Sequence, residues 1–160
     1  MSNGTPRIWV VRSGDSDQAH PDFLDGRICL GWSRLGDLSL IGNDRRAFLV
    51  AYRKHYRDED LPAARLIAGE LYRFVHKMSL RDFVIYPART DGLVRVGRVR
   101  GSYEHRPRQN QRYPHTRLVD WLSTVRRKSL PLDVRLAIGR RSTLYQPRQD
   151  SDEVRAALLP

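Results

Sequence analysis

With 160 residues the chain suits one domain with a single apolar core and is cramped for two. Twenty-nine Lys and Arg against eighteen Asp and Glu give a formal charge of +11, mostly from arginine, whose planar fork suits phosphate and base edges. So basic a small domain points to a polyanion, nucleic acid ahead of an anionic membrane, and the lone Cys29 excludes an internal disulfide or a cysteine-based zinc site, as in a reducing cytoplasm.

The opening MSNGTPR has no apolar signal core, and no run approaches the roughly twenty apolar residues of a membrane span. The expectation is a cytoplasmic, soluble protein with no membrane partner. Ile8 to Val11 is apolar on both alternating faces and reads as a central strand with Trp9 in the core. The polar turn Arg12-Ser13-Gly14-Asp15 follows. His20 to Asp25 suggests one helical turn broken by Gly26, and Arg27 to Trp32 a second strand that stops at Ser33. Gly36-Asp37-Leu38-Ser39 reads as another turn.

Asn43 is placed to cap a helix running to about Tyr56, with Phe48, Tyr52 and Tyr56 at four-residue spacing and a basic outer side. A second helix starts near Leu61-Pro62 and carries the core stripe Ala64, Ile67, Ala68, Leu71, Phe74, Val75 and Met78. Three strands follow, Asp82 to Tyr86, Leu93 to Val99 and Thr116 to Leu122, the last holding Trp121 in the core. The Asp91-Gly92 pair is a strong hairpin turn. Between the second and third lies Gly101 to His115, expected as a solvated loop. A short helix from Leu132 to Ile138 ends at Gly139, and Thr143 to Tyr145 forms a small strand. The order of elements argues for an α+β fold with a curved or barrel-like mixed sheet. Beyond Gln146 the chain has too few apolar residues to add to the core.

Familiar catalytic patterns are missing from the sequence. Metal-dependent nucleases need grouped carboxylates and a lysine on adjacent strands. The densest acidic run, Asp58-Glu59-Asp60, instead sits between helices, where it favours the positive start of the second one. His20, His55, His76, His105 and His115 lack metal-site spacing, and no nucleophile elbow, P-loop or dinucleotide fingerprint occurs. No catalytic residue, metal or cofactor is expected.

What remains is a polar and aromatic set at strand ends. If the turn Arg12 to Asp15, the segment Gly31-Trp32-Ser33 and the pair Tyr86-Pro87 converge, they build a pocket for a planar base, in which Asp15 accepts from an exocyclic amine. Arg106, Arg108 and Arg112, interleaved with Gln109, Asn110 and Gln111, form a multi-donor element that grips phosphates, joined by Arg12, Arg34 and Arg89 at the strand ends.

The runs IWVVRSG, LGWSRLGDLS, LYRFVHKMSLRDFVIYP, VRVGRVRGSYEHRP and YPHTRLVDWL resemble the PUA-like superfamily modules that include EVE, YTH and SRA domains. They look most like the N-terminal reader domains of Mrr-type, modification-dependent restriction endonucleases. The resemblance spans about Ile8 to Tyr145. It implies a PUA-like (EVE/YTH-like) domain over residues 1–146, a curved mixed sheet or partial barrel flanked by helices, with 147–160 as a linker or docking tail. It also implies that Trp32 and Ser33 form one wall of a base pocket, that Ser13 and Asp15 supply polar contacts, and, by position, that Tyr86 is the second aromatic. The function implied is a non-catalytic reader that flips a modified, methylated base out of double-stranded DNA and works with a nuclease effector. An EVE-, YTH- or ASCH-like binder of modified RNA, a nuclease with an unrecognised site and a protein-interaction module stay open as alternatives.

Overall fold

The computed structural model describes residues 4–147 and 151–160. Among them, seven strands form a mixed sheet: β1 (Ile8–Val11), β2 (Arg27–Leu30), β3 (Phe83–Pro87), β4 (Leu93–Val99), β5 (Glu104–His105), β6 (His115–Arg126) and β7 (Leu144–Tyr145). Their order is β2-β6-β4-β3-β1-β7, with β5 also paired to β6. The helices are α1 (His20–Leu24), α2 (Arg45–His55), α3 (Leu61–His76), α4 (Leu132–Ala137) and α5 (Ser151–Leu158). The expected α+β class, a curved mixed sheet flanked by helices, is the one that forms.

β6 curls the sheet. Its first four residues pair with β2, from Leu30↔His115 to Arg27↔Leu118, while Val119 to Arg126 pair with β4. The register slips between Val96 and Gly97, a bulge that bends the ladder. Only glycine fits there, because a Cβ on Gly97 would lie 2.6 Å from the Asp120 carbonyl oxygen.

β1 and β3 run parallel, and their alternating side chains feed two apolar layers. Trp9, Val11, Val84 and Tyr86 pack with residues of α1, α2 and α3, whereas Ile8, Val10, Phe83 and Ile85 pack with α4 and α5. This two-sided burial explains why the runs are continuously apolar. Trp9 is fully buried, and its indole N–H donates to Asp82 Oδ2 at 2.9 Å, while Oδ1 accepts from the Arg7 backbone N–H. Arg117 is also buried and donates to the carbonyls of Phe74, Val75 and Gly101. It closes the last turn of α3, so this arginine serves the fold rather than a ligand.

Several sequence expectations are corrected. Asp44, not Asn43, caps α2 by accepting from the Arg46 N–H, and Asn43 accepts instead from the Tyr72 hydroxyl. The loop 101–115 contains β5, which a two-residue stretch with one charged residue does not announce. Trp121 is only half-buried, its N–H donated to the Phe23 carbonyl. The segment beyond Gln146 does add to the core: Val154 and Leu158, one turn apart on α5, are buried beside Val134. Two apolar residues at i,i+4 suffice for a stripe against a helix as short as α4. Residues 148–150 of that segment lie outside the described residues.

Candidate functional site

The curl of the sheet brings the exits of β1 and β2 beside the end of the 106–114 loop. Between them opens a cavity of about 320 Å³ whose walls include Arg12, Asp15, Trp32, Arg112 and Tyr113, with Cys29 and Leu30 from β2 beneath. Burial pushes the Cys29 thiol up, so it stays protonated at neutral pH and acts as an apolar surface rather than a nucleophile.

Trp32 leaves β2 in the left-handed region, with φ 59° and ψ 48°, a conformation that costs a large side chain roughly 1–2 kcal/mol. A relay of hydrogen bonds holds it there. The Trp32 carbonyl accepts from His115 Nε2 at 3.3 Å, His115 Nδ1 lies 2.8 Å from the Tyr103 hydroxyl, and that hydroxyl accepts from the Leu38 N–H at 3.0 Å. Since a carbonyl can only accept, His115 carries its proton on Nε2, and Tyr103 donates to Nδ1. Complete burial of the imidazole lowers its pKa to about 4, keeping this neutral tautomer at physiological pH.

Tyr113 is the second aromatic, and the sequence reading missed it. Its ring lies 3.6 Å from the position a Cβ would take on Gly31, and its hydroxyl 2.7 Å from that on Gly14. A Cβ on Gly31 would make only ordinary contact with the ring, whereas one on Gly14 would crowd the hydroxyl, and Gly14, at φ 101°, also needs its freedom for the turn. Asn110 fixes the approach: its Oδ1 accepts from the Arg112 and Tyr113 backbone N–H groups, and its Nδ2 donates to Asp22 on α1 at 2.9 Å. The loop expected to be merely solvated is thus anchored at its centre. The Tyr-Pro pair directly before a strand was the available signal, since proline fixes the backbone beside the ring.

Of the base-pocket residues expected from sequence, Asp15 and Trp32 meet at the cavity, and so do Arg12 and Arg112 from the cation set. Ser13 and Tyr86 do not line it. Both are fully buried, with the Tyr86 hydroxyl 2.7 Å from Ser13 Oγ and 2.6 Å from His20 Nδ1. Ser13 in turn donates to Asp17. Burial works against the Asp17 carboxylate, but hydrogen bonds from Thr90, Ser13 and the Arg89 N–H hold its pKa below the ordinary value. Tyr86 alternates inward along a strand buried on both faces, so it braces the β1 turn from beneath.

Ser33 and Arg34 are exposed on the 3-10 turn after Trp32, with the Arg34 guanidinium 5.2 Å from the Tyr56 ring centre. Arg89 donates to the Asp15 carbonyl, Arg106 is paired with Glu104, and Arg108 is exposed on the loop. Among the described residues, no three His, Cys, Asp or Glu side chains cluster as metal ligands, and no helix is long and apolar enough to cross a membrane.

A family model described as Domain of unknown function (DUF8426) matches residues 9–146. No curated protein matches the chain. Among solved structures, it is similar to the YTH domain of the Zygosaccharomyces rouxii MRB1 protein, crystallised in complex with N6-methyladenosine RNA. The TM-score is 0.46 at 14% sequence identity, covering 100% of this chain and 95% of that one.

Proposed function

The chain belongs to the family described as Domain of unknown function (DUF8426), and we propose that it is a non-catalytic reader of nucleic acid carrying a modified base. One observation carries this reading: a cavity with an indole and a phenol in its walls and two arginines and a carboxylate beside them. Its 320 Å³ falls at the small end of the roughly 300–1,000 Å³ usual for ligand pockets, a size for one base. Trp32 and Tyr113 offer π-faces, Asp15 an acceptor for an exocyclic amine, and Arg12 and Arg112 positive charge for the adjoining phosphates. The protonated Cys29 supports a binding rather than a nucleophilic role.

The substrate assigned is double-stranded DNA with a methylated base, in keeping with the sequence resemblance. A recessed cavity requires the base to leave the helix, which costs a few kcal/mol. Stacking contributes on the order of 1–3 kcal/mol per base, and phosphate contacts add to it. Burial of one methyl contributes about 0.8 kcal/mol, enough for a several-fold preference. Cleavage belongs to a nuclease effector on another domain or subunit.

The test is a titration with matched duplexes that are unmodified or carry N6-methyladenine, 5-methylcytosine or hydroxymethylcytosine, alongside RNA strands with and without N6-methyladenosine. A modified duplex should bind several-fold tighter than its unmodified match. Tighter binding of the modified RNA would move the assignment to RNA, and equal binding throughout would contradict it. Arg106 is paired with Glu104, whereas Arg12, Arg34 and Arg89 each give one guanidinium nitrogen to a backbone carbonyl and, with Arg108 and Arg112, join no ion pair among the described residues. Five phosphate contacts predict a slope of about −4.5 for log affinity against log salt on duplex DNA.

A further inference from the structure

A second recess lies between α2 and α3 and shares no residue with the cavity. It encloses about 740 Å³, with Leu49, Val50, Leu61 and Ala68 in its walls and Arg45, Arg46, Arg53 and Arg65 around them. Val50 is 63% exposed, and Leu66 on the neighbouring turn 53%.

The four arginines have no internal counterpart. None joins an ion pair among the described residues. The nearby acidic residues are engaged elsewhere: Asp44 and Asp60 cap their helices, while Asp58 and Glu59 share a separate recess with Arg34, Lys54 and Arg57. Arg45 and Arg46 occupy the first turn of α2, where the helix dipole disfavours positive charge. The Arg45 guanidinium crosses to α3 over Gly69, whose missing Cβ would sit 2.5 Å from Nη2. This packing holds a cation against the apolar floor without supplying an anion.

Phosphate backbones need cations but gain nothing from a leucine and valine floor, whereas an amphipathic helix in a groove uses both. We propose that the α2–α3 groove docks a short helix of a protein partner bearing carboxylates along the flanks of an apolar stripe. Arg45 and Arg53 stand eight residues apart on one helix, about 12 Å along its axis. The matching carboxylates are therefore about two turns apart. Charge gives the partner its orientation, and the floor excludes a purely acidic one.

The test uses the full chain, labelled for amide NMR, and three probes: a synthetic Leu/Glu amphipathic helical peptide, polyglutamate of equal charge and an unmodified DNA duplex. The peptide should shift α2 and α3 amides. Arg46→Glu with Arg53→Glu should weaken it at least tenfold, as should Val50→Asp, while Trp32→Ala leaves it unchanged. These positions are exposed, so thermal unfolding should confirm that the variants stay folded. Failure of the peptide to bind, equal binding of polyglutamate, or duplex binding lost in the arginine variant but kept in Val50→Asp would each overturn the proposal. None of these outcomes depends on the cavity's role.

Discussion

Trp9 and Trp32 make the same side chain do opposite work. Trp9 sits mid-strand, wholly buried, its N–H spent on Asp82. Trp32 stands where β2 ends, half-buried in a left-handed conformation, beside a cavity. In the first case packing and hydrogen bonding agree, as in most of the core. In the second a backbone cost is carried by a relay through His115 and Tyr103, whose hydroxyl also takes the Leu38 N–H and whose ring packs edge-on against Phe74. A network rooted in the core in this way can hold strain at a preformed site.

The contrast can be broken most forcefully at Trp9. Trp9→Ala should cost about 3–5 kcal/mol by leaving a cavity and taking from the Asp82 carboxylate one donor, the Arg7 and Ser79 N–H groups remaining. Urea unfolding measures this, and a loss below about 1 kcal/mol would mean that Trp9 is no core anchor.

Two buried titrating groups sharpen the comparison next, with an effect on the order of 2 kcal/mol. Burial raises Glu70, which reaches about 7 from 4.5. Its contribution to stability is complete below pH 4.5 and lost as pH climbs through 7. Burial lowers His115 from 6.5 to about 4, so its contribution is present above 6.5 and lost as pH falls through 4. The two slopes oppose each other over roughly pH 4.5–6.5, and the wild type should be nearly flat there. Glu70→Gln should unmask the His115 slope, a rise of stability with pH, in unfolding titrations at fixed pH steps. A variant as flat as the wild type would contradict this linkage.

The smallest effect is expected at Asn110. Asn110→Ala removes the acceptor that turns the chain into Tyr113, and it should weaken binding of the preferred modified duplex by about 1 kcal/mol, some fivefold. Isothermal titration reads this directly, and an unchanged affinity would show that Tyr113 needs no such guide.

Much of the fold was legible because periodicity reports burial. The unbroken apolar runs of β1 and β3 and the stripe of α3 could belong only to interior elements, and Asp91-Gly92 announced its turn. The site was legible only in part. Trp32 stood out through its glycine and serine neighbours, but nothing local separates an inward Tyr86 from an outward one on a strand buried on both faces. Tyr113 was hidden in a polar loop whose anchor, Asn110 to Asp22, spans eighty-eight residues. The arginine excess was likewise ambiguous, since Arg117 is buried as a helix cap while Arg12 faces the cavity.

The most direct test of the account is the discrimination ratio, the affinity for the preferred modified duplex over its unmodified match, measured in wild type and Trp32→Ala at one salt concentration. Removing the indole should cost roughly 1–3 kcal/mol of packing against the core, with no relief of the left-handed strain because alanine keeps the Cβ, and urea unfolding should show the variant still folded. The ratio should collapse to about one, while weak, salt-sensitive binding through the arginines persists. A variant that stays folded and keeps the wild-type ratio would show that the base is read elsewhere.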